Sequence, residues 1–207
     1  MLTGSSLLPL LLLLLAVAAA WALHARHLRR EIDKAHLDDL TGLPQRRGFD
    51  RTAPGYLARH GRHGHAVFLF VDLDHLKTIN DTLGHPAGDR AILEAAQRLR
   101  TWAGPSGYVA RLGGDEFAVA TVLPAPQRTA RLQELSAVLA RPFTFRGAAI
   151  DLLGATIGAA TPDLVATEDF STLMVAADAA MYRGKRLCPI VLAEPADTAG
   201  RCSEVLQ

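Results

Sequence analysis

This sequence contains little cysteine, and neither sign of charge is in clear excess. Its two cysteines, Cys188 and Cys202, lie near the C-terminus without metal-ligand spacing, so neither a disulfide framework nor a zinc site is expected. The 22 basic and 21 acidic residues leave a net charge of +1, which lacks the electrostatic footprint of a general nucleic-acid binder. We therefore expect no nucleic-acid partner.

Charged side chains are missing altogether from residues 1–23, of which 18 are hydrophobic. The run over residues 7–23 would span roughly 25 Å as a helix, which is close to the hydrocarbon thickness of a bilayer. Residues 1–23 are therefore predicted to form a transmembrane anchor. The rest of the chain carries all the charges and is long enough for one domain, but not for a second full sensory domain.

A cleaved signal peptide is the alternative for this segment, because small residues of the kind found at cleavage sites lie near its end. A signal peptide would, however, carry a basic stretch before its apolar run, and none is present. Basic residues instead follow the run, at Arg26, Arg29, Arg30 and Lys34. The positive-inside bias then predicts a single pass through the membrane, with the following domain in the cytoplasm. Residues 24–37 are expected to be a juxtamembrane helical linker, either paired or solvated.

Beyond the linker, apolar runs of strand length alternate with stretches of helical period. This alternation predicts one α/β domain over residues 38–192 and a disordered tail over residues 193–207. The glycine pair at 113–114 predicts a hairpin, which favours a mixed or antiparallel sheet over a purely parallel one. The other expected elements are a strand at 66–74, two strands within 143–160, and helices at 87–103, 127–140 and 170–187.

Carboxylates mark two places where chemistry is expected. Asp72 and Asp74 end the first predicted strand, while Asp115 and Glu116 directly follow the glycine turn. Carboxylates at a sheet edge suit hard divalent cations, and glycines let a phosphate approach the backbone closely. The combination points to metal-assisted phosphoryl or nucleotidyl transfer, although each feature alone is common on protein surfaces.

Four motifs in a fixed order narrow this interpretation. They are DDLTGLPQRRGF at 38–49, VDLDHLKTINDTLGHPAGD at 71–89, RLGGDEF at 111–117 and ADAAMYRGK at 177–185. With these motifs the sequence resembles the GGDEF-domain diguanylate cyclases over about residues 37–192, and RLGGDEF carries the signature of that family. The resemblance implies an α/β (α+β) domain of the nucleotidyl-cyclase, palm-like type, with a central mixed, mainly antiparallel sheet flanked by helices and preceded here by the transmembrane helix.

The same resemblance implies roles at the carboxylates and around them. Asp72, the carbonyl of Leu73 and Asp115 would bind two Mg²⁺ ions, for which Mn²⁺ is a possible substitute. Asp115, with Glu116 beside it, would be the catalytic base for the 3′-hydroxyl of GTP. Residues implied to contact the phosphates are Gly113, Gly114, Lys77 and Lys185.

Guanine recognition is implied at Asn80, His85 and Asp89. A carboxylate such as Asp89 can accept hydrogen bonds from both N1–H and the amino group of guanine, whereas adenine offers no such pair. Asp74 is interpreted as a structural residue on the opposite face of the strand from Asp72.

The reaction implied is the condensation of two GTP into cyclic di-GMP with release of two pyrophosphates. Because each nucleotide is both attacker and target, two sites must face each other, so a homodimer is expected. The alternative is a degenerate module that binds GTP and regulates a partner without turnover. Intact Asp72, Asp115 and Glu116 favour the enzyme.

The sequence departs from the family pattern at two sites. Gly104 and Gly107 stand where an inhibitory RxxD motif has its Arg and Asp, so product inhibition there is expected to be absent. The Gly-Arg-Asn run that usually follows the last helix is replaced by Cys188, Pro189 and Ile190, so Arg183 or Arg186 would have to substitute for the missing arginine, or the affinity for GTP would fall. Milder differences are Gln45, Leu76 and Thr156.

Overall fold

A computed structural model of the chain describes residues 12–24, 37–61, 65–151, 153–187 and 189–194, apart from the side chains of residues 186 and 187. The chain divides into two units, Met1–Leu37 and Asp38–Gln207.

In the first unit, residues 12–24 form helix α1. Among the described residues, no helix combines the length and the apolar character that crossing a bilayer requires. The remainder of the predicted anchor, most of the predicted linker and nearly all of the predicted tail lie outside the described residues. The anchor therefore stays a prediction.

The second unit is an α/β domain. Its strands are β1 (Ala66–Asp74), β2 (Tyr108–Gly113), β3 (Glu116–Val122), β4 (Phe143–Phe145), β5 (Ala148–Ile150), β6 (Gly154–Ala160) and β7 (Ile190–Leu192). Its helices are α2 (Arg46–His60), α3 (Leu76–Leu83), α4 (His85–Ala103), α5 (Ala125–Leu139), α6 (Pro162–Val165) and α7 (Phe170–Leu187).

Five strands form the central sheet in the order β2-β3-β1-β6-β7. All neighbouring strands are antiparallel except β6 and β7, which pair in parallel. The expectation of a mixed, mainly antiparallel sheet is confirmed. Strand β1 coincides with the predicted strand 66–74, and β2 and β3 form the predicted hairpin.

Strand β1 lies at the centre of the sheet with helices on both of its faces. Because side chains alternate along a strand, Val67 and Leu69 pack in the cluster that contains α4 and α5, whereas Phe68 and Phe70 pack in the cluster that contains α2 and α7. Burial on both faces explains why β1 is an almost continuous apolar run rather than an alternating one.

The stretch over residues 143–160 contains three strands instead of the predicted two. The predicted turn at Arg146 and Gly147 does form, with φ of 49° and 83°, but its strands β4 and β5 make a separate two-stranded sheet. Strand β6 is a third strand, and its sequence, GATIGAA, contains mostly glycine and alanine, which are poor strand formers. Helices α2 and α3 and strand β7 were not expected from the sequence; α2 contains Pro54 and Gly55, which hide its helical period.

The small residues of β6 allow α7 to pack closely on the sheet. A β-carbon at Gly158 would lie 2.1 Å from the carbonyl oxygen of Ala177 and 2.3 Å from the amide nitrogen of Met181. Both atoms belong to the backbone of α7, which cannot move without leaving the sheet. Gly158 therefore sets the distance between α7 and β6.

Replacing Gly158 with alanine is expected to destabilise the domain by about 3 kcal/mol, because the added methyl group pushes the α7 backbone off the sheet. The loss is measured as the change in free energy of unfolding in urea. Gly55→Ala is the matched control, because a β-carbon at Gly55 meets no atom within 4 Å. Equal stability of the two variants would contradict this packing.

Candidate active site

The site lies where β1 ends beside the turn between β2 and β3. In the antiparallel register Asp72 is opposite Glu116 on one side and Thr156 on the other. The amide of Leu73 donates a hydrogen bond to the carbonyl of Asp115, at 3.1 Å. The carboxylates that lie more than 40 residues apart in the sequence are thus brought together by strand pairing.

Asp72 is a buried carboxylate whose side chain is 9% exposed. Burial raises its pKa above the ordinary value, the charges of Asp115 and Asp74 add to that rise, and Lys185 opposes it. The ammonium nitrogen of Lys185 lies 2.8 Å from Oδ2 of Asp72, and this hydrogen bond raises the pKa of Lys185 in turn. A concentration of negative charge in a desolvated position requires positive charge beside it, and in this structure α7 supplies it.

Asp74 lies on the same face as Asp72, so the expectation of an opposite face was wrong. Residues two apart in a strand point to the same side of the sheet. The hydroxyl of Thr156 donates to Oδ1 of Asp74 at 3.0 Å, and Thr156 is itself opposite Asp72 in the register. Asp74 therefore contributes to the negative charge around Asp72 while orienting Thr156.

The glycine turn leaves its backbone open to a ligand. Gly113 and Gly114 have φ of 146° and 54°, and a β-carbon at either would meet no atom within 4 Å. The positive φ requires glycine, because other residues are strained there. Asp115 and Glu116 follow, both partly exposed, and Nη2 of Arg46 lies 3.8 Å from Oε2 of Glu116.

Arg111 fixes the position of this turn. Its Nη2 and Nε donate to the carbonyl of Gly114 at 2.7 and 3.0 Å, and its Nη1 donates to both carboxylate oxygens of Asp38 at 3.0 Å. Asp38 also accepts hydrogen bonds from the amide and hydroxyl of Thr41. Partial burial acts to raise the pKa of Asp38, but the hydrogen bonds from Thr41 and Arg111 outweigh it and hold the pKa below its ordinary value.

These hydrogen bonds, called here the Arg111 clamp, join Asp38 in the first motif to the glycine turn at 113–114. Sequence reasoning missed them. An available signal was the presence of opposite charges, Asp38 and Arg111, in two separate motifs. Their pairing could not be deduced without the short bridge between Gln45 and Arg111, which brings the first motif to the edge of β2.

The remaining predicted site residues form a second group on the helix pair α3–α4, which follows β1 directly. Lys77 is exposed near the start of α3, and Asn80 is partly buried near its end. His85 and Asp89 are exposed in the first two turns of α4. Gly84, with φ of 84°, is the single residue between the helices.

The donor set at the strand end fits a hard divalent cation. Asp72 and Asp115 are carboxylates close enough to raise the pKa of Asp72 by repulsion, and a cation between them would relieve that repulsion. In the described part of the chain, no three side chains of His, Cys, Asp or Glu converge into a metal cage. A cation here would therefore complete its shell with backbone, phosphate or water oxygens, as Mg²⁺ commonly does.

The segment after α7 that differs from the expected Gly-Arg-Asn run lies beside the same site. Pro189 lines the cleft with Asp72 and Lys185, and its carbonyl accepts a hydrogen bond from the amide of Ile157 at 2.7 Å. Cys188 and the side chain of Arg186 lie outside the described residues, and Arg183 is partly buried. Pro189 is exposed, at the position where the sequence resemblance implied an arginine.

Residues 35–187 match the family described as diguanylate cyclase, GGDEF domain. The match includes the strand end, the glycine turn, the helix pair and α7. The chain belongs to the GGDEF family.

Individual relatives agree with this assignment. The GGDEF chain is 40% identical over 183 residues to an uncharacterized 19.3 kDa protein of Streptomyces ambofaciens, covering 88% of this chain and 92% of that protein. It is 38% identical over 172 residues to the diguanylate cyclase DgcP of Pseudomonas aeruginosa, covering 81% of this chain. It spans only 25% of the length of that cyclase.

The fold also matches a solved structure of the family. The coiled coil and GGDEF domain of DgcB from Caulobacter crescentus, solved in complex with c-di-GMP, superposes with a TM-score of 0.68 at 30% identity. The match covers 88% of this chain and 99% of the DgcB chain. The α/β palm-like fold expected from the sequence is confirmed.

The Arg111 clamp gives the GGDEF domain a specific pH dependence. Asp38→Asn is expected to lower the free energy of unfolding by about 2 kcal/mol at neutral pH, because it removes charged hydrogen bonds. The folded-state pKa of Asp38 is lowered, so its contribution is complete above the ordinary value of about 4 and is lost as pH falls through the folded-state value. Urea unfolding of both proteins between about pH 7 and pH 3 measures this difference. A difference that stays constant down to the lowest pH would contradict the assignment.

Proposed function

We propose that this chain is a diguanylate cyclase, which condenses two GTP into cyclic di-GMP and releases two pyrophosphates. The observation that carries the proposal is the buried carboxylate of Asp72 beside Asp115 and an open glycine turn, in a chain of the GGDEF family. A buried carboxylate next to exposed backbone suits a nucleoside triphosphate that binds together with divalent cations.

The carboxylates of Asp72 and Asp115 and the carbonyl of Leu73 are the proposed ligands for two Mg²⁺ ions, with Mn²⁺ as a substitute. When bound, such ions neutralise charge on the attacking and leaving oxygens of a phosphoryl transfer. Asp115, with Glu116 beside it, accepts the proton of the 3′-hydroxyl of one GTP. The 3′-oxygen then forms a bond to the α-phosphorus of the second GTP, whose bond to pyrophosphate breaks. The same transfer in the other direction, from the 3′-oxygen of the second GTP to the α-phosphorus of the first, closes the ring and releases the second pyrophosphate.

Phosphate binding is assigned to the turn and two lysines. Gly113 and Gly114 leave the space that a phosphate needs against the backbone. The side chain of Lys185 is 41% exposed although its ammonium contacts Asp72, so it can reach a phosphate from the same position. Lys77 is exposed at the start of α3, and both lysines would act as point charges.

Guanine recognition is assigned to the helix pair. Asp89 can accept hydrogen bonds from N1–H and the amino group of guanine, while Asn80 can both donate and accept. His85 is exposed one turn before Asp89. This arrangement favours GTP over ATP because adenine lacks the two donors that Asp89 requires.

Two copies of the chain are proposed to act as a homodimer in the bacterial inner membrane. Each GTP must be presented to the other, and one site per chain makes two facing chains necessary. Anchoring by residues 1–23 and pairing of residues 24–37 would raise the effective concentration of that encounter.

Inhibition by product through an RxxD site is proposed to be absent. Gly104 and Gly107 supply neither the arginine nor the aspartate of that motif. A β-carbon at Gly107 would lie 2.6 Å from both the β-carbon and the carbonyl oxygen of Ala103. The backbone at this position therefore has no room for an aspartate in its present conformation.

The second candidate is a GTP-binding module without turnover. The observation that favours it is Pro189, which lines the cleft beside Asp72 and Lys185 where an arginine would neutralise phosphate charge. The two candidates separate in a single assay, because a module binds GTP but yields no product.

Full-length protein incubated with GTP and Mg²⁺ is expected to yield cyclic di-GMP, identified by mass spectrometry, and no cyclic product of ATP when both nucleotides are supplied. Asp115→Ala should lower the rate at least about 10³-fold, because it removes both a cation ligand and the base. Asp50→Ala, an exposed aspartate on α2 outside the four motifs, is the control. Cyclic di-GMP added at the start should leave the wild-type rate unchanged. Absence of product at millimolar GTP would contradict the cyclase and support the module.

The anchor is tested separately, by fractionating cells that express the full chain and a variant lacking residues 1–23. The full chain is expected in the membrane fraction and to resist extraction with carbonate, while the truncated chain is expected in the supernatant. A full chain found in the supernatant would contradict the anchor, and a shortened N-terminus found by sequencing would support the signal peptide.

A further inference from the structure

Gly88 lies against the side chain of Asn80 where α3 and α4 meet. A β-carbon at Gly88 would lie 1.9 Å from Oδ1 of Asn80, 2.8 Å from its Cγ and 3.2 Å from its Nδ2. The carboxamide of Asn80 therefore occupies the space that any side chain at position 88 would need.

The backbone does not explain why glycine is present at this position. Gly88 lies inside α4 without a positive φ, so alanine would be compatible with its conformation and would raise the helix propensity. Gly55 lies inside α2 in the same way, but a β-carbon there meets nothing within 4 Å. What distinguishes Gly88 is the close approach of Asn80.

The Asn80 carboxamide is placed by packing rather than by protein hydrogen bonds. Within the described ranges, its oxygen and nitrogen have no hydrogen-bond partner in the chain, and neither atom is sealed from solvent. A side-chain amide without a protein partner is free to bind a ligand. Asp89, the neighbour of Gly88, is exposed on the same turn of α4.

We propose that Gly88 is a positioning residue for nucleotide selection: it leaves the space in which the Asn80 carboxamide is held ready to bind the guanine base. This inference rests on the proposed function, because it concerns the same GTP site. A methyl group at position 88 would displace only the end of the Asn80 side chain, so the change should affect base recognition far more than stability.

The test compares Gly88→Ala, Gly55→Ala, Asn80→Ala and the double variant Gly88→Ala/Asn80→Ala in the full-length protein. Affinities for α,β-methylene GTP and α,β-methylene ATP are measured by calorimetry, since the methylene bridge prevents release of pyrophosphate. Gly88→Ala is expected to weaken binding of the GTP analogue about tenfold, the effect of one lost hydrogen bond. Its affinity for the ATP analogue and its melting temperature should match those of Gly55→Ala.

The double variant decides whether Gly88 acts through Asn80. Once the carboxamide is removed, Gly88→Ala should cause no further loss of affinity. The inference is overturned if Gly88→Ala binds the GTP analogue as Gly55→Ala does, if it weakens both analogues equally, or if it has its full effect in the Asn80→Ala background. A wild-type protein that binds the GTP analogue selectively but forms no product would contradict the cyclase while leaving this comparison decisive.

Discussion

The burial of the Asp72 carboxylate is the constraint on which the other parts of the site depend. Strand β1 is covered on both faces, so a charge at its end is partly removed from water and requires a positive partner. Lys185 provides that partner at 2.8 Å, and the helix that carries it, α7, packs closely on β6 at Gly158. The proposed cations would meet the same requirement when GTP is bound.

Two local devices hold the surrounding groups in place. Arg111 ties the carbonyl of Gly114 to Asp38, so the turn that carries Asp115 is attached to the segment that enters the domain. Gly88 leaves the space for the carboxamide of Asn80. Both devices position neighbouring groups rather than react, which is the support that the proposed GTP site would require.

Local sequence signals predicted β1, the hairpin and the helices near 87–103, 127–140 and 170–187, because each has a continuous apolar run, a helical hydrophobic period or a glycine turn. They failed for α2, whose Pro54 and Gly55 obscure the period, and for β6, whose small residues leave room for the close approach of α7. Asp72 and Asp115 are brought together by the pairing of a strand end with a hairpin turn, and both of these elements were visible in the sequence. The contacts of Arg111 with Asp38 and of Gly88 with Asn80 depend on packing between segments, which no single-segment pattern contains.

The central claim is that Asp72 and Asp115 hold divalent cations together with GTP. Counting bound Mn²⁺ by electron paramagnetic resonance, in the presence of α,β-methylene GTP, tests it most directly. The account predicts two ions per chain in the wild-type protein and a loss of binding in Asp72→Asn and in Asp115→Asn. Nucleotide binding that needs no divalent cation, or a Mn²⁺ count unchanged by both substitutions, would contradict it.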